Sequence, residues 1–209
     1  PELNTSVPQH FSSAFASARA GNPNSVDALS YLSQDHQQAN IIRAAAIERL
    51  QQFTGRNGIV AIARAVKHQD EMLRVAAVEG SSPYTIAERW QMLAPLLTDE
   101  VLMIRSQAAA ALANYWQQLS SQQQAQLEAP LKEYIEILIF NADRGFARTN
   151  LGNLYANQGF ANKAEASCKA SIDVQPNFAG AYTNLADLYR SQGKESAAVQ
   201  ILEQGIIAK

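Results

Sequence analysis

Two stretches decide the fold: residues 150–159, NLGNLYANQG, and residues 184–193, NLADLYRSQG. They lie 34 residues apart, so that Asn150-Leu151 falls on Asn184-Leu185, Leu154-Tyr155 on Leu188-Tyr189, and Gln158-Gly159 on Gln192-Gly193. The same shift carries Ala164 onto Ala198. Leu151, Leu154 and Tyr155 stand at i, i+3 and i+4, on one face of a helix. Gly159 provides a residue that leaves the helical region without steric cost, so the chain turns there. Small Ala164 lets the returning helix come close. Pro176, which has no N–H to donate, stops that helix before the next unit. The spacing predicts helices over 145–158, 161–174, 179–192 and 195–208. This is one helix–turn–helix unit written twice, of a kind that buries its apolar face only against a neighbour.

Toward the N-terminus a second period appears. Ile42-Arg43, Leu73-Arg74 and Ile104-Arg105 are successively 31 residues apart, and Ala46, Ala77 and Ala108 each follow the arginine by three. Asp35, Asp70 and Asp99 precede the arginines, and apolar segments at 29–32, 62–66 and 93–97 come earlier still. Each unit therefore reads as an apolar helix, a polar turn with aspartate, and a second helix that begins with the arginine motif. Residues 11–21 predict a capping helix before the first unit. Between the two blocks, residues 117–126 hold six glutamines and read as a solvated helix end or turn. Residues 127–140 predict an amphipathic connecting helix on the spacing of Leu131, Tyr134, Ile135, Leu138 and Ile139. The organisation expected is repeats over 1–117, a connecting segment over 118–142 and the 34-residue repeats over 143–209.

Composition agrees with helices throughout. The 209 residues include 36 alanines and 20 glutamines but only 10 glycines and 7 prolines, favouring helices over a sandwich or barrel. The net charge of −2 carries no basic excess for phosphate backbones, so nucleic acid is not an expected partner. No apolar run approaches the ~20 residues of a membrane span. The sequence does not begin with Met, which suggests a processed piece whose targeting segment lies elsewhere.

Residues 145–209 resemble two tetratricopeptide (TPR) repeats. Leu151, Gly152, Tyr155, Gly159, Ala164 and Pro176 match the family pattern in the first, and Leu185, Ala186, Tyr189, Gly193 and Ala198 in the second. Arg148 stands where Trp is common and Ser171 where Ala is common. The N-terminal units resemble HEAT repeats, with a short period similar to that of phycobilin lyase proteins. Together the resemblances imply an all-α fold, an α-solenoid of antiparallel helix pairs. The pattern F-x-x-A-F-x-x-A-R-x-G from Phe11 to Gly21 and the run Asn-Ala-Asp-Arg-Gly from Asn141 resemble the C-terminal region of bacterial multihaem cytochrome c-type TPR proteins. That likeness implies haem c in an upstream region and a periplasmic location.

The TPR resemblance also implies a binding surface. In that family the first helix of each repeat lines the concave face, which here gives Phe146, Thr149, Asn150, Asn153 and Asn157, then Thr183, Asn184, Asp187, Arg190 and Ser191. Asparagine both donates and accepts, so such a groove suits an extended peptide. Asn153 and Asn184 coincide with the two asparagines of a carboxylate clamp, but Thr149 replaces its lysine and no third repeat supplies its other basic residues.

No catalytic or metal constellation accompanies this groove. His10, His36 and His68 have no partner at ligand spacing and read as surface residues. Cys168 reads as a small buried apolar residue, and with a single cysteine there is neither an intrachain disulfide nor a haem-attachment motif. Arg43, Arg74 and Arg105 read as structural ties to the turn aspartates rather than as a ladder for an acidic ligand. The expected function is a non-catalytic scaffold that binds a protein, a peptide or a haem domain of its parent chain, with no cofactor in this sequence. The alternatives are a phycobilin-lyase-type enzyme and an assembly factor for exported proteins. Because the second TPR unit stops at Lys209 before its proline, an end-to-end homodimer is also expected.

Overall fold

The computed structural model describes residues 10–208. Pro1 and Lys209, on which the expectations of processing and of an open end rest, lie outside them. Regular structure among the described residues is entirely helical. In chain order the α-helices are α1 (Ser12–Arg19), α2 (Ser25–Gln34), α3 (Asn40–Arg49), α4 (Arg56–Ala65), α5 (Glu71–Gly80), α6 (Ile86–Leu93), α7 (Leu102–Ala113), α8 (Ser121–Phe140), α9 (Gly145–Asn157), α10 (Ala161–Val174), α11 (Ala179–Ser191) and α12 (Glu195–Ile207). The all-α solenoid arrangement expected from the sequence is present as successive helix pairs. Internal contacts divide the chain into two compact units, residues 1–108 and 109–209, with the division inside α7.

In the first unit α2 packs on α3 and α4 on α5, while α2 also packs on α4 and α3 on α5, so like helices stack on like. Leu29, Ile62, Leu73, Leu93 and Ile104, from the apolar segments and arginine motifs of the 31-residue period, are fully buried, as are Ile47 and Leu50 at the end of α3. Ala46 and Ala77 have no exposed surface. A Cβ placed on Gly80 would stand 2.5 Å from the Ile47 carbonyl oxygen, so α5 crosses the α3 backbone at near contact. The capping helix over 11–21 is α1, and Gly21 after it adopts φ of 71°. One expectation fails locally. The apolar segment 93–97 is not α-helical: α6 ends at Leu93 and a 3₁₀ turn spans Ala94–Thr98. Pro95 fits this, because it has no N–H to donate to the carbonyl four residues back and so interrupts the α-helical hydrogen-bond pattern there.

The arginines behave unequally. Arg74 donates from Nε and Nη2 to the two carboxylate oxygens of Asp99 at 2.7 and 3.2 Å, and from Nη1 to the carbonyls of His68 and Gln69. It is the tie the sequence predicts. Arg43 is also buried, but it donates to the Ser33 carbonyl and to Asn40 Oδ1, and Asn40 in turn donates to Asp70 at 2.6 Å. Arg105 donates from Nη1 to the carbonyls of Asp99 and Glu100. His10 and His36 are exposed as expected. His68 is half-buried, with Nδ1 accepting from the Asp70 amide and Nε2 3.5 Å from Arg43 Nη1.

In the second unit α8 begins at Ser121, six residues before the expected start, and takes in most of the glutamine-rich stretch. The cause is a capping box. Ser120 Oγ accepts from the Gln123 amide, and Gln123 Oε1 accepts from the Ser120 amide at 2.9 Å. Gln124 further holds the preceding turn by donating to the Trp116 carbonyl. Helices α9 to α12 lie within about a residue of the spans read from the 34-residue period. Gly159 and Gly193 both take positive φ, 84° and 71°, and Phe160 N–H then reaches back to the Tyr155 carbonyl at 2.8 Å. Ala164 and Ala198 have no exposed surface, and Ala164, Cys168, Leu185 and Leu188 form a buried cluster that Tyr155, Tyr189 and Ile201 pack against.

Candidate functional site

The expected groove belongs to α9 and α11, the first helices of the two 34-residue units, which pack on each other within the second unit. Each presents one face to its own returning helix. Gly152 lies on that inner face of α9, where an added Cβ would come within 2.7 Å of Cys168 Sγ and 3.2 Å of the Ala164 carbonyl. The candidate residues other than Thr149 lie off that inner face.

Their environments differ. Phe146 is 43% exposed, and Asn150, Thr183, Asp187, Arg190 and Ser191 are exposed. Asn153 and Asn184 are half-buried and bonded to each other across the helix pair, Asn184 Nδ2 donating to Asn153 Oδ1 at 2.8 Å. Asn157 is half-buried and donates to Asn114 Oδ1 at 3.1 Å, while its carbonyl accepts from Gln117. Thr149 is displaced from the set. It is 3% exposed, and its hydroxyl donates at 2.9 Å to Ser171 Oγ, which donates to the Gly145 carbonyl. Thr149 therefore faces α10. Ser171, small where alanine is common, accepts this bond, and no residue in the sequence pattern announces it.

The exposed candidates form a mixed polar strip with one aromatic. Asp187 and Arg190 pair at 3.0 Å, and Arg190 Nε lies 3.7 Å from Glu195, so the charges on α11 are already balanced. Thr183 donates to its own helix at Ala179. Such a strip makes short polar contacts with a backbone and offers no strong field to a charged ligand.

The chemistry on the returning helices is structural. Cys168 is 2% exposed and burial pushes its thiol up to about 11, the opposite of what a nucleophile needs. Glu165 accepts from Lys169 at 2.7 Å and from the Tyr189 hydroxyl at 3.0 Å, which ties α10 to α11. The Lys169 bond comes first among the causes that hold its carboxyl below the usual glutamate range. Among the described residues no group of three or more His, Cys, Asp or Glu side chains is placed to hold a metal ion. No described helix is long and apolar enough to cross a membrane.

Comparison with known proteins places this geometry. Residues 147–178 and residues 167–200 each match the tetratricopeptide repeat family. The C-terminal part of the chain thus carries tetratricopeptide repeats, over a stretch that runs from α9 into α12. Over 100 residues the chain is 27% identical to the photosystem I assembly protein Ycf3 of Rippkaea orientalis. That alignment covers 46% of this chain and 58% of the relative, so the chain spans less than two thirds of that protein's length.

Proposed function

We propose that this chain is a non-catalytic scaffold whose α9–α11 surface holds a segment of a partner protein during assembly of a larger complex. The observation that carries the reading is the pair of tetratricopeptide matches over 147–200, together with exposed Asn150 on α9 and exposed Thr183, Asp187 and Arg190 on α11. Repeats of this kind support a protein-interaction role. The likeness to a protein that assembles photosystem I supports assembly as the setting, and the partner here is proposed only as a protein segment able to bond through its backbone. Thr149 takes no part, since its hydroxyl is spent inside the unit. Asn153 and Asn184 act by fixing the two helices side by side.

The test uses Asn150→Ala/Thr183→Ala/Asp187→Ala, three exposed positions whose loss leaves the buried cluster intact. Affinity capture from the source organism with wild type should recover a protein that the triple variant recovers at least tenfold less. Equal recovery by two samples of equal helicity overturns the assignment of this surface.

A further inference from the structure

The 31-residue period builds a second surface, on the first unit and far from the tetratricopeptide strip in sequence. Ile41, Met72 and Met103 stand one period apart, at the same point of α3, α5 and α7. All three are exposed, by 59%, 42% and 48%. A surface that shows a large apolar side chain at three successive repeats is a row, not scattered chance, and contiguous exposed apolar patches mark interaction sites. Between them lies an open groove of about 300 Å³. Its lining carries three glutamates, Glu48, Glu71 and Glu79, and no lysine, arginine or histidine. Glu48 and Glu79 are again one period apart, so the acidic residues repeat alongside the apolar ones. None of the arginines on the same helices, Arg43, Arg49, Arg74 or Arg105, lines the groove, although Arg74 feels the charge of Glu71. Arg43 and Arg74 are buried and bonded to Ser33, Asn40 and Asp99.

We infer that this groove on α3, α5 and α7 takes a basic amphipathic helix of a partner protein. Charge selects the partner's sign, since an acidic rim around an apolar floor repels anionic segments and draws lysine and arginine. Spacing selects its form. Neighbouring packed helices stand about 8–10 Å apart, and residues seven apart on a helix are separated by about 10.5 Å along its axis. A helix laid from α3 across α5 therefore meets Ile41 and Met72 with apolar residues at i and i+7, and its continuation runs toward Met103, which lines the same groove. Two methionines, unbranched and easily reshaped, suit a groove that closes around such residues.

Selection of displayed random 18-residue peptides against the full chain tests this. The expected winners are net basic with apolar residues at seven-residue spacing. Their affinity falls at least tenfold in Glu48→Lys/Glu79→Lys and in Met72→Gln, and weakens with added salt. Both variants alter exposed positions, and matching far-ultraviolet circular dichroism melts confirm that they fold. Winners should bind Asn150→Ala/Thr183→Ala/Asp187→Ala like wild type, which separates this groove from the α9–α11 surface. No enrichment, acidic or neutral winners, or winners that keep their affinity for Glu48→Lys/Glu79→Lys overturn the proposal. So does a wild-type dimer in sedimentation equilibrium that Met72→Gln dissociates, since a second copy would then be the occupant.

Discussion

At the scale of the residue, the tetratricopeptide pair depends on how closely α9 meets α10, and Gly152 sets that distance. Its neighbours are the Cys168 sulfur and the Ala164 carbonyl, at 2.7 and 3.2 Å from where a Cβ would stand. The sulfur sits in a buried cluster with little room to turn aside, and the carbonyl belongs to a helix backbone. Overpacking of this kind costs roughly 1–3 kcal/mol. Gly152→Ala is therefore expected to lower unfolding stability by about that amount, read from urea midpoints at unchanged slope. Cys168→Ala removes the closer of the two contacts. If the sulfur is the main obstacle, Gly152→Ala/Cys168→Ala is more stable than the sum of the two single losses predicts, and strict additivity would place the clash at the Ala164 carbonyl. The second 34-residue repeat shows the same compromise solved by sequence: Ala186 occupies the equivalent position and is fully buried.

At the scale of the element, the 31-residue units are tied by specific bonds as well as by burial. Arg74 on α5 grips Asp99, whose carboxylate also accepts from the Val101 amide just before α7. Both side chains are largely buried, at 10% and 7% exposure. Removing one partner of a buried pair strands the other charge and costs about 3–5 kcal/mol, whereas replacing both by apolar residues costs far less. Arg74→Met is expected to lose stability on that scale by thermal or urea denaturation. Arg74→Met/Asp99→Leu should recover much of it. A variant that kept its stability and lost a binding activity would make Arg74 a ligand instead. This tie was legible in the sequence because aspartate and arginine recur together. The exception at Arg43 was also written there. The arginines keep a strict 31-residue step, but Asp70 and Asp99 are only 29 apart, so the residue that stands to Arg43 as Asp99 stands to Arg74 is His68. Asn40 then bridges Arg43 to Asp70. The early start of α8 was legible too, in the Ser120–Gln123 capping box, and was masked by a composition that reads as solvated turn. What the sequence could not convey is orientation inside a helix pair. Thr149 and Asn153 both sit on α9, and only the position of Ser171 on α10 turns one inward. The candidate groove was therefore legible as a pair of helices and only partly as a set of side chains.

At the scale of the whole molecule, charge is scarce and nearly balanced in sign. The net charge is −2 at pH 7 and the isoelectric point lies near 6.0. At physiological salt, fields between exposed charges fade within about 8 Å, so this small excess gives little long-range repulsion. Several large apolar side chains meet solvent all the same: Phe140 at 88%, Ile206 at 74% and Ile207 at 84%. Attraction between such patches is least opposed where the net charge is lost. Lowering the pH from 7 removes the residual negative charge, and the balance reaches zero near pH 6.0. Below that the molecule becomes increasingly positive and repulsion returns with the opposite sign. Static light scattering across pH 4.5 to 8 should therefore show the second virial coefficient at its minimum close to pH 6, with recovery on both sides. Phe140→Ser/Ile206→Ser/Ile207→Ser should flatten that minimum without changing the isoelectric point, because it removes the attraction and leaves the titration intact. A minimum that survives in the triple variant would assign the attraction to other surfaces, among them the acidic groove of α3 and α5. In that case adding Met72→Gln should remove it.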